Sequence, residues 1–354
     1  MTETLPIKTT RVTSSKLHEV DFHNISFGTV YSDHMFMATF DGKEWNNAEI
    51  KPFANLQISP ANATLHYAQT IFEGMKAYKN ERGEPVLFRP MKNFERLNKS
   101  AVRMCMPEIP EEVFMGGMKE LIRLDQEWIP TVPGTALYVR PFMFAADGYI
   151  GVKPSDTYHF IIFTCPVGAY YPKPVKVKIE TEFTRAAHGG VGFAKTGGNY
   201  AASLYPAQLA NEQGYDQLLW TDGQNHEYIE ESGTMNAVFM IGNKIVTAAV
   251  SDSILNGVTR DSVLQLARDW GYEVEVRPLA VKELIQALEN GEVKEAFGTG
   301  TAATIAHIET IGHEGKDYQL PGIAGREFSN RALQTLDGMK IGEAPDPHGW
   351  VVKV

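Results

Sequence analysis

The sequence predicts two α+β domains, and three observations carry that expectation. The chain has 354 residues, more than one hydrophobic core ordinarily serves. Strand-like and helix-like stretches mix along it without the regular alternation of a parallel α/β fold. Near the middle, Tyr170-Tyr-Pro-Lys-Pro174 places two prolines within three residues, a signature of a linker. The expected boundaries are an N-terminal domain over 1–169, a linker over 170–182 and a C-terminal domain over 183–354.

The elements follow in order. The first 20 residues are polar and rich in threonine, so they are expected to be partly extended. Residues 33–58 carry short apolar stretches around Asp41-Gly42, a turn signal that predicts a strand pair. Met75–Tyr78 and Val86–Arg89 read as strands flanking the turn Asn80–Glu84. From Pro90, a proline suited to the first helical position, Met91, Phe94, Leu97 and Ala101 recur at helical spacing. A second helix is expected over 111–128, with Phe114, Met118, Leu121 and Ile122 on one face. Two β-rich runs follow, Ala136–Phe144 and Tyr158–Phe163. Beyond the linker, Gln217–Trp220, Ala237–Ile241 and Lys244–Thr247 read as strands, the last two joined by Gly242-Asn243 as a hairpin. Asn256–Thr259 opens a helix carrying Val263, Leu264, Ala267 and Trp270, closed by Gly271. Another helix is expected over 279–290, and Phe297-Gly-Thr-Gly-Thr-Ala302 reads as a small-residue loop.

Composition narrows the function. A hydrophobic content of 43% with 21% charged residues is ordinary for a soluble globular protein. The net charge of −10 leaves no basic surplus to neutralise nucleic-acid phosphates, so no nucleic-acid partner is expected. An anionic substrate would then need a local arginine. Cys105 and Cys165 lack zinc-ligand spacing and read as small core residues of a reducing compartment. The ten histidines form no close pair of the usual ligand spacing, and no metal is expected. No apolar run approaches membrane-spanning length, and the N-terminus lacks the apolar core of a signal peptide. The cytoplasm is the expected compartment, with no membrane partner.

The residue that speaks most about chemistry is Lys195, in Gly189-Gly-Val-Gly-Phe-Ala-Lys-Thr-Gly-Gly-Asn-Tyr200. Glycines on both sides allow a close approach of backbone to a flat ligand. A lysine in such a wall can shed water and proton and attack a carbonyl as an amine. Thirty-six residues on, Glu231-Ser-Gly-Thr-Met-Asn236 offers a carboxylate followed by small residues. Lysine plus a distant acid is the pair that pyridoxal phosphate chemistry needs, the acid holding the pyridine nitrogen protonated. A phosphate loop is the rival reading, because Gly189 and Ala194-Lys195-Thr196 nearly fit G-x-x-x-x-G-K-[ST]. Ala194 stands where that motif needs glycine, and Gly197-Gly198 sits where its helix should start, which counts against a nucleotide hydrolase.

Taken together these motifs resemble the branched-chain aminotransferases of the fold-type-IV pyridoxal phosphate enzymes. The resemblance runs from Phe27-Gly-Thr-Val-Tyr-Ser-Asp-His34 to about residue 340. It rests on Phe72-Glu-Gly-Met-Lys-Ala77, Leu137-Tyr-Val-Arg-Pro141, Cys165-Pro-Val-Gly-Ala-Tyr170, Lys195–Tyr200, Glu231–Asn236, Gly257-Val-Thr-Arg260 and Gly298–Ala302. Each is weak alone; their order and spacing are specific. The fold it implies is a smaller N-terminal α+β domain and a larger, β-barrel-like C-terminal α/β domain, in a homodimer.

The family also implies roles. Lys195 matches the Schiff-base lysine, Glu231 the partner of the pyridine nitrogen, and Tyr200 the phenol on the cofactor ring oxygen. Arg89, the amides of Val258 and Thr259, and the Thr301 hydroxyl match the phosphate site. Phe27, Tyr67, Phe72, Tyr138 and Tyr170 resemble the aromatic substrate pocket, to which the partner copy would lend Ile150 and Val152. Arg140 matches the arginine for the distal carboxylate of glutamate, and Thr234 and Ala302 fall where the α-carboxylate is received. Ala303 and Ala306 occupy the positions of a Cys-x-x-Cys redox pair found in some animal members, so that switch is absent. The implied reaction interconverts leucine, isoleucine or valine and 2-oxoglutarate with the branched 2-oxo acids and glutamate, by a ping-pong route. D-amino acid transaminase and aminodeoxychorismate lyase are the alternatives within the fold. A non-catalytic pyridoxal phosphate carrier is the alternative outside catalysis.

Overall fold

The computed structural model describes residues 6–168 and 173–354. Its described residues form two compact units. The first comprises 6–168, 194–197 and 338–354, and the second 173–193 and 198–337.

The first unit is built on a nine-stranded sheet. Along its path lie Lys8–Thr9, Trp45–Pro52, His34–Phe40, Tyr158–Val167, Ala136–Ala145, Met75–Lys79, Pro85–Phe88 and Val351–Lys353. Thr70–Phe72 pairs with Ala136–Ala145 beside that path. The expected hairpin around Asp41-Gly42 forms, pairing Phe40 with Trp45. So does the one around Asn80–Glu84, pairing Lys79 with Pro85. The helix Pro90–Arg103 starts at the proline, and Leu97 and Ala101 are fully buried on its inner face. The helix expected over 111–128 divides into a π-helical turn, Glu112–Gly116, the α-helix Gly117–Leu124 and a 3-10 turn, Gln126–Trp128. Two adjacent glycines weaken it, and a Cβ at Gly117 would lie 2.6 Å from the Phe36 ring, so the helix needs that glycine to reach the sheet.

The longest strand shows how period two sorts side chains by face. Leu137, Val139, Met143 and Ala145 join the main core with Phe36, Leu97, Phe114 and Phe160. Ala136, Tyr138, Phe142 and Phe144 face the other way, in smaller clusters with Phe27, Cys165 and Phe163. Arg140 shares that second parity.

The second unit contains a ten-stranded sheet. Six of its strands close on themselves in the order Met235–Ile241, Val293–Gly300, Thr304–His313, Val175–Ile179, Gln217–Thr221 and Tyr228–Ser232, the last pairing back to the first. This ring is the barrel that the resemblance implied. Val175, Val177, Ile179, Ala237 and Phe239 pack with Val281, Leu284 and Ala287 of the helix Val281–Glu289. Period two on the strands thus meets period three to four on the helix. The Gly242-Asn243 hairpin forms as expected, with Ile241 opposite Lys244 and Gly242 at φ +60°.

Several expectations need correction. The segment read as a linker over 170–182 holds the strand Val175–Ile179, whose alternating valines complete the barrel between two parallel neighbours. The last 17 residues, 338–354, count with the first unit, because Val351–Lys353 pairs with Val86–Phe88. With that tail included, the N-terminal unit is the larger one. Phe297–Gly300 is strand and not loop, since Gly298 and Gly300 leave room for Met235, which a Cβ at Gly298 would approach to 2.6 Å. Gly197–Ala201 forms a short helix despite its two glycines. Cys105 is exposed at φ +55°, just past the helix Pro90–Arg103, while Cys165 is buried, its thiol pushed up to about 11 by burial.

Candidate active site

Lys195 is held by its backbone within the first unit. Its N–H donates to Ser100 Oγ at 2.9 Å, and its carbonyl accepts from Phe72 N–H at 3.0 Å. Thr196 donates its hydroxyl to the Thr70 carbonyl at 2.7 Å and bridges to Ile71. The segment thus runs as an added edge along Thr70–Phe72. The half-buried side chain places Nζ 4.8 Å from the centroid of Phe72, where an aromatic face attracts a cation.

Phe72 is shared. The Arg140 guanidinium lies 4.7 Å from the same ring and 5.2 Å from that of Tyr138, whose hydroxyl accepts from Arg140 Nη2 at 3.0 Å. Arg140 Nε is buried without a hydrogen-bond partner. Phe27 meets Tyr138 edge-on at 4.9 Å. Gly74 makes this cluster possible, because a Cβ there would lie 2.0 Å from the Tyr138 hydroxyl. Phe27, Phe72, Tyr138 and Arg140 therefore come together, as a cation among aromatic rings. Tyr67, Ile150 and Val152 are 37%, 64% and 92% exposed and lie outside this cluster. The segments that carry them are linked upstream, where Ala63 N–H donates to the Asp147 carbonyl at 3.2 Å. Tyr170 lies outside the described residues.

Beneath Phe72 sits a buried ion pair missed in the sequence reading. Glu73 is fully buried, and Arg96 donates to both its oxygens at 2.7 Å, with Asn93 adding a third bond at 2.8 Å. Asn93, Arg96 and Ser100 recur at helical spacing on Pro90–Arg103. One helix thus fixes both the strand carrying Phe72 and the segment carrying Lys195. The sequence signal was available, as three polar residues at i, i+3 and i+7 beside the apolar stripe.

Arg89 is the whole connection between the strand Pro85–Phe88 and that helix. It adopts φ +49° and ψ +44° as the helix N-cap. Left-handed backbone costs a non-glycine residue about 1 kcal/mol, and such outliers gather where a particular side chain is needed. Glycine would turn more easily, yet arginine stands here. Its N–H donates to the Trp350 carbonyl at 2.8 Å, and its guanidinium lies 4.9 Å from the Trp350 ring.

The second unit organises itself around Glu231, 3% exposed. Arg185 Nη2 lies 3.1 Å from its Oε2, while Leu255 N–H (2.8 Å) and Asn236 Nδ2 (3.2 Å) donate to its Oε1. Neighbouring Glu230 accepts a hydrogen bond from the Ser253 hydroxyl, and burial pushes its carboxyl above the usual carboxylate range. The hairpin turn Gly233-Thr234 has positive φ at its first residue, the choice of a two-residue loop that matches strand twist. It leaves Thr234 exposed. Glu231, Asn236 and Thr299 are paired across three adjacent strands. Thr301 and Ala302 follow just beyond, before Thr304 at φ +60°.

Asn236 also donates to the Leu255 carbonyl at 2.8 Å. This ties the Glu231 hairpin to Gly257, the N-cap of the helix Val258–Asp269. A Cβ on Gly257 would lie 1.9 Å from Asn236 Oδ1. The first-turn amides, those of Val258 and Thr259 among them, mark the end of a helix that favours an anion. Tyr200 is half-buried in the helix Gly197–Ala201. Arg185, with its Nε buried and unpartnered, is a residue the sequence reading passed over.

Unit by unit, the donors fit a phosphorylated pyridine aldehyde. The first unit offers an amine and a guanidinium at a strained, rigid turn. The second offers a charge-paired carboxylate and a helix N-terminus cleared of a Cβ. No cluster among the described residues could hold a metal ion, and no helix among them is long and apolar enough to cross a membrane.

Comparison with known proteins agrees with this chemistry. The family described as Amino-transferase class IV matches residues 70–311, more than half of the chain. The chain is 44% identical over 347 residues to branched-chain-amino-acid aminotransferase 2 of Bacillus subtilis strain 168, covering 97% of this chain and 96% of that protein. Among solved structures, the branched-chain amino acid aminotransferase of Escherichia coli is similar with a TM-score of 0.75 and 26% identity, over 91% of this chain and 99% of that one. The T.th. branched-chain amino acid aminotransferase complexed with N-(5'-phosphopyridoxyl)-L-glutamate is similar with a TM-score of 0.71 and 26% identity, over 90% and 98%.

Proposed function

The chain belongs to the class IV amino-transferases, among the branched-chain-amino-acid aminotransferases, and from that premise we propose how its residues divide the reaction. The enzyme uses pyridoxal 5'-phosphate to transfer the amino group between L-leucine, L-isoleucine or L-valine and 2-oxoglutarate. The cofactor, when bound, supplies the electron sink that makes the substrate Cα proton removable. Lys195 holds the cofactor at rest and moves the proton at Cα. Its backbone bonds to Ser100 and Phe72 keep that amine on a fixed segment, so little orientation is lost at the reacting step. Glu231, charge-paired with Arg185, keeps the pyridine nitrogen protonated, and Tyr200 serves the ring oxygen. Arg89, Val258, Thr259 and Thr301 hold the phosphate. Thr234 and Ala302 receive the α-carboxylate.

The observation that carries the substrate assignment is Arg140. A leucine side chain asks for an apolar wall, and glutamate asks for a cation that leucine does not use. The Phe27, Phe72 and Tyr138 cluster offers the wall, and Arg140, with a buried unpartnered Nε, offers the cation within it. Tyr170 is assigned to the same pocket from the resemblance of its motif alone. We further propose a cytoplasmic homodimer in which the exposed Ile150 and Val152 serve the partner copy.

Single-turnover half-reactions test the assignment. L-leucine, L-isoleucine, L-valine and L-glutamate should each convert the bound cofactor to its amine form, and D-alanine should not. Turnover of D-alanine with none of L-leucine would make the chain a D-amino acid transaminase. Pyruvate release from aminodeoxychorismate in place of transamination would make it a lyase.

A further inference from the structure

We propose that the C-terminal segment 346–354 is a strap that sets the Arg89 guanidinium, with Trp350 as the positioning residue for the cofactor phosphate. The inference rests on the reading of Arg89 as a phosphate ligand. The strap is bonded to the strand that ends at Arg89. Val351, Val352 and Lys353 pair with Phe88, Leu87 and Val86, and Val354 N–H donates to the Pro85 carbonyl at 3.1 Å. Lys353 pairs with Glu84 at 2.7 Å, and Lys119 donates to the Lys353 carbonyl at 2.9 Å. Within the strap, Val351 N–H donates to Asp346 at 2.8 Å, and His348 stacks on the Trp350 ring at 4.5 Å. The half-buried indole is therefore fixed by a sheet on one side of its residue and a closed turn on the other.

That rigid plate meets Arg89 twice. The Trp350 carbonyl takes the Arg89 N–H, which helps hold the left-handed φ of a one-residue connection. The ring then faces the guanidinium at 4.9 Å. A guanidinium held over an aromatic face is confined before the anion arrives, so less rotamer freedom is lost on binding. The bond from Arg89 N–H to the Trp350 carbonyl is made by backbone, and a leucine would supply apolar bulk; the aromatic ring itself is engaged by the guanidinium, by stacked His348 and by Phe88 edge-on at 5.7 Å. The strap thus couples the last residues of the chain to a turn more than 250 residues earlier.

The experiment compares affinities of the full-length chain for pyridoxal 5'-phosphate and for pyridoxal, read by cofactor absorbance. The variants are Trp350→Leu, Trp350→Phe and Arg89→Met, each checked by thermal unfolding. Trp350→Leu should weaken the phosphorylated form about tenfold, ~1.4 kcal/mol, while pyridoxal binding stays within about twofold of wild type. Trp350→Phe should recover most of the loss. An equal loss for both cofactors would make Trp350 merely structural, and no loss for either would make the strap idle; each overturns the proposal. Arg89→Met should show the same phosphate-selective loss. If it shows none, the reading of Arg89 itself is wrong, and the two failures are told apart.

Discussion

Arg140 shows how one residue is decided by its neighbours. Its place in Leu137-Tyr-Val-Arg-Pro141 puts it on the face of Tyr138 by strand parity alone. Its pairing with two rings and its unpartnered Nε follow only from the packing of Phe72. Arg140→Met should raise KM for glutamate and 2-oxoglutarate far above any change for leucine. The selective loss should be on the order of 2–4 kcal/mol in kcat/KM, as for a broken desolvated charge pair. Equal losses for leucine and glutamate would instead give Arg140 a structural or α-carboxylate role. Glu231 is tested in the same manner. Glu231→Gln keeps the shape but removes the charge that Arg185 pairs, so the rate should fall at least ~100-fold, roughly 3 kcal/mol of barrier, with cofactor still bound. A near-wild-type rate in stopped-flow half-reactions would place the pyridine partner elsewhere.

The elements matter because they carry several of these residues at once. The helix Pro90–Arg103 presents Asn93, Arg96 and Ser100, engaged with Glu73 or with the Lys195 segment. Removing one partner of a buried ion pair leaves the other charge uncompensated, which typically costs about 3–5 kcal/mol. Arg96→Met should therefore lower stability by an amount on that order in urea unfolding. An unchanged midpoint would mean that Glu73 is satisfied without its guanidinium. The helix Val258–Asp269 depends on its N-cap glycine in a different way. Gly257→Ala would drive a Cβ into Asn236 Oδ1, on the amide whose Nδ2 bonds Glu231 and the Leu255 carbonyl. The expected cost is about 1–3 kcal/mol, with a weaker hold on pyridoxal 5'-phosphate in equilibrium dialysis. Wild-type stability and affinity together would show that the loop relaxes freely.

For the molecule as a whole, the proposed dimer explains an otherwise awkward surface. Ile150 and Val152 are exposed aliphatics on a loop, 64% and 92% exposed, and Leu65 and Tyr67 are also exposed, at 58% and 37%. A charge on such a face should oppose association without harming the fold, because neither side chain is buried in the unit. Ile150→Asp with Val152→Asp should shift the protein toward the monomer in light scattering, with far-ultraviolet dichroism unchanged. A dimer that persists would place the interface elsewhere.

What was legible in the amino-acid order is what local chemistry and motif spacing dictate. Hairpins at Asp41-Gly42 and Gly242-Asn243, the helix from Pro90 and the alternation along Ala136–Ala145 all need only turn propensities and side-chain period. The motifs around Lys195 and Glu231 were legible because their chemistry demands particular residue types. What packing alone decided are the relations between residues far apart in the chain. The strand Val175–Ile179 hid behind two prolines, because its partners at 217 and 308 are invisible from composition. Phe297–Gly300 looked like a loop until Met235 filled the space its glycines leave. The Arg185–Glu231 pair and the return of Trp350 to Arg89 join segments by contacts with no local period to announce them. Side-chain period and turn chemistry act over a few residues; burial and charge pairing act across space, and only the folded chain brings their partners within reach.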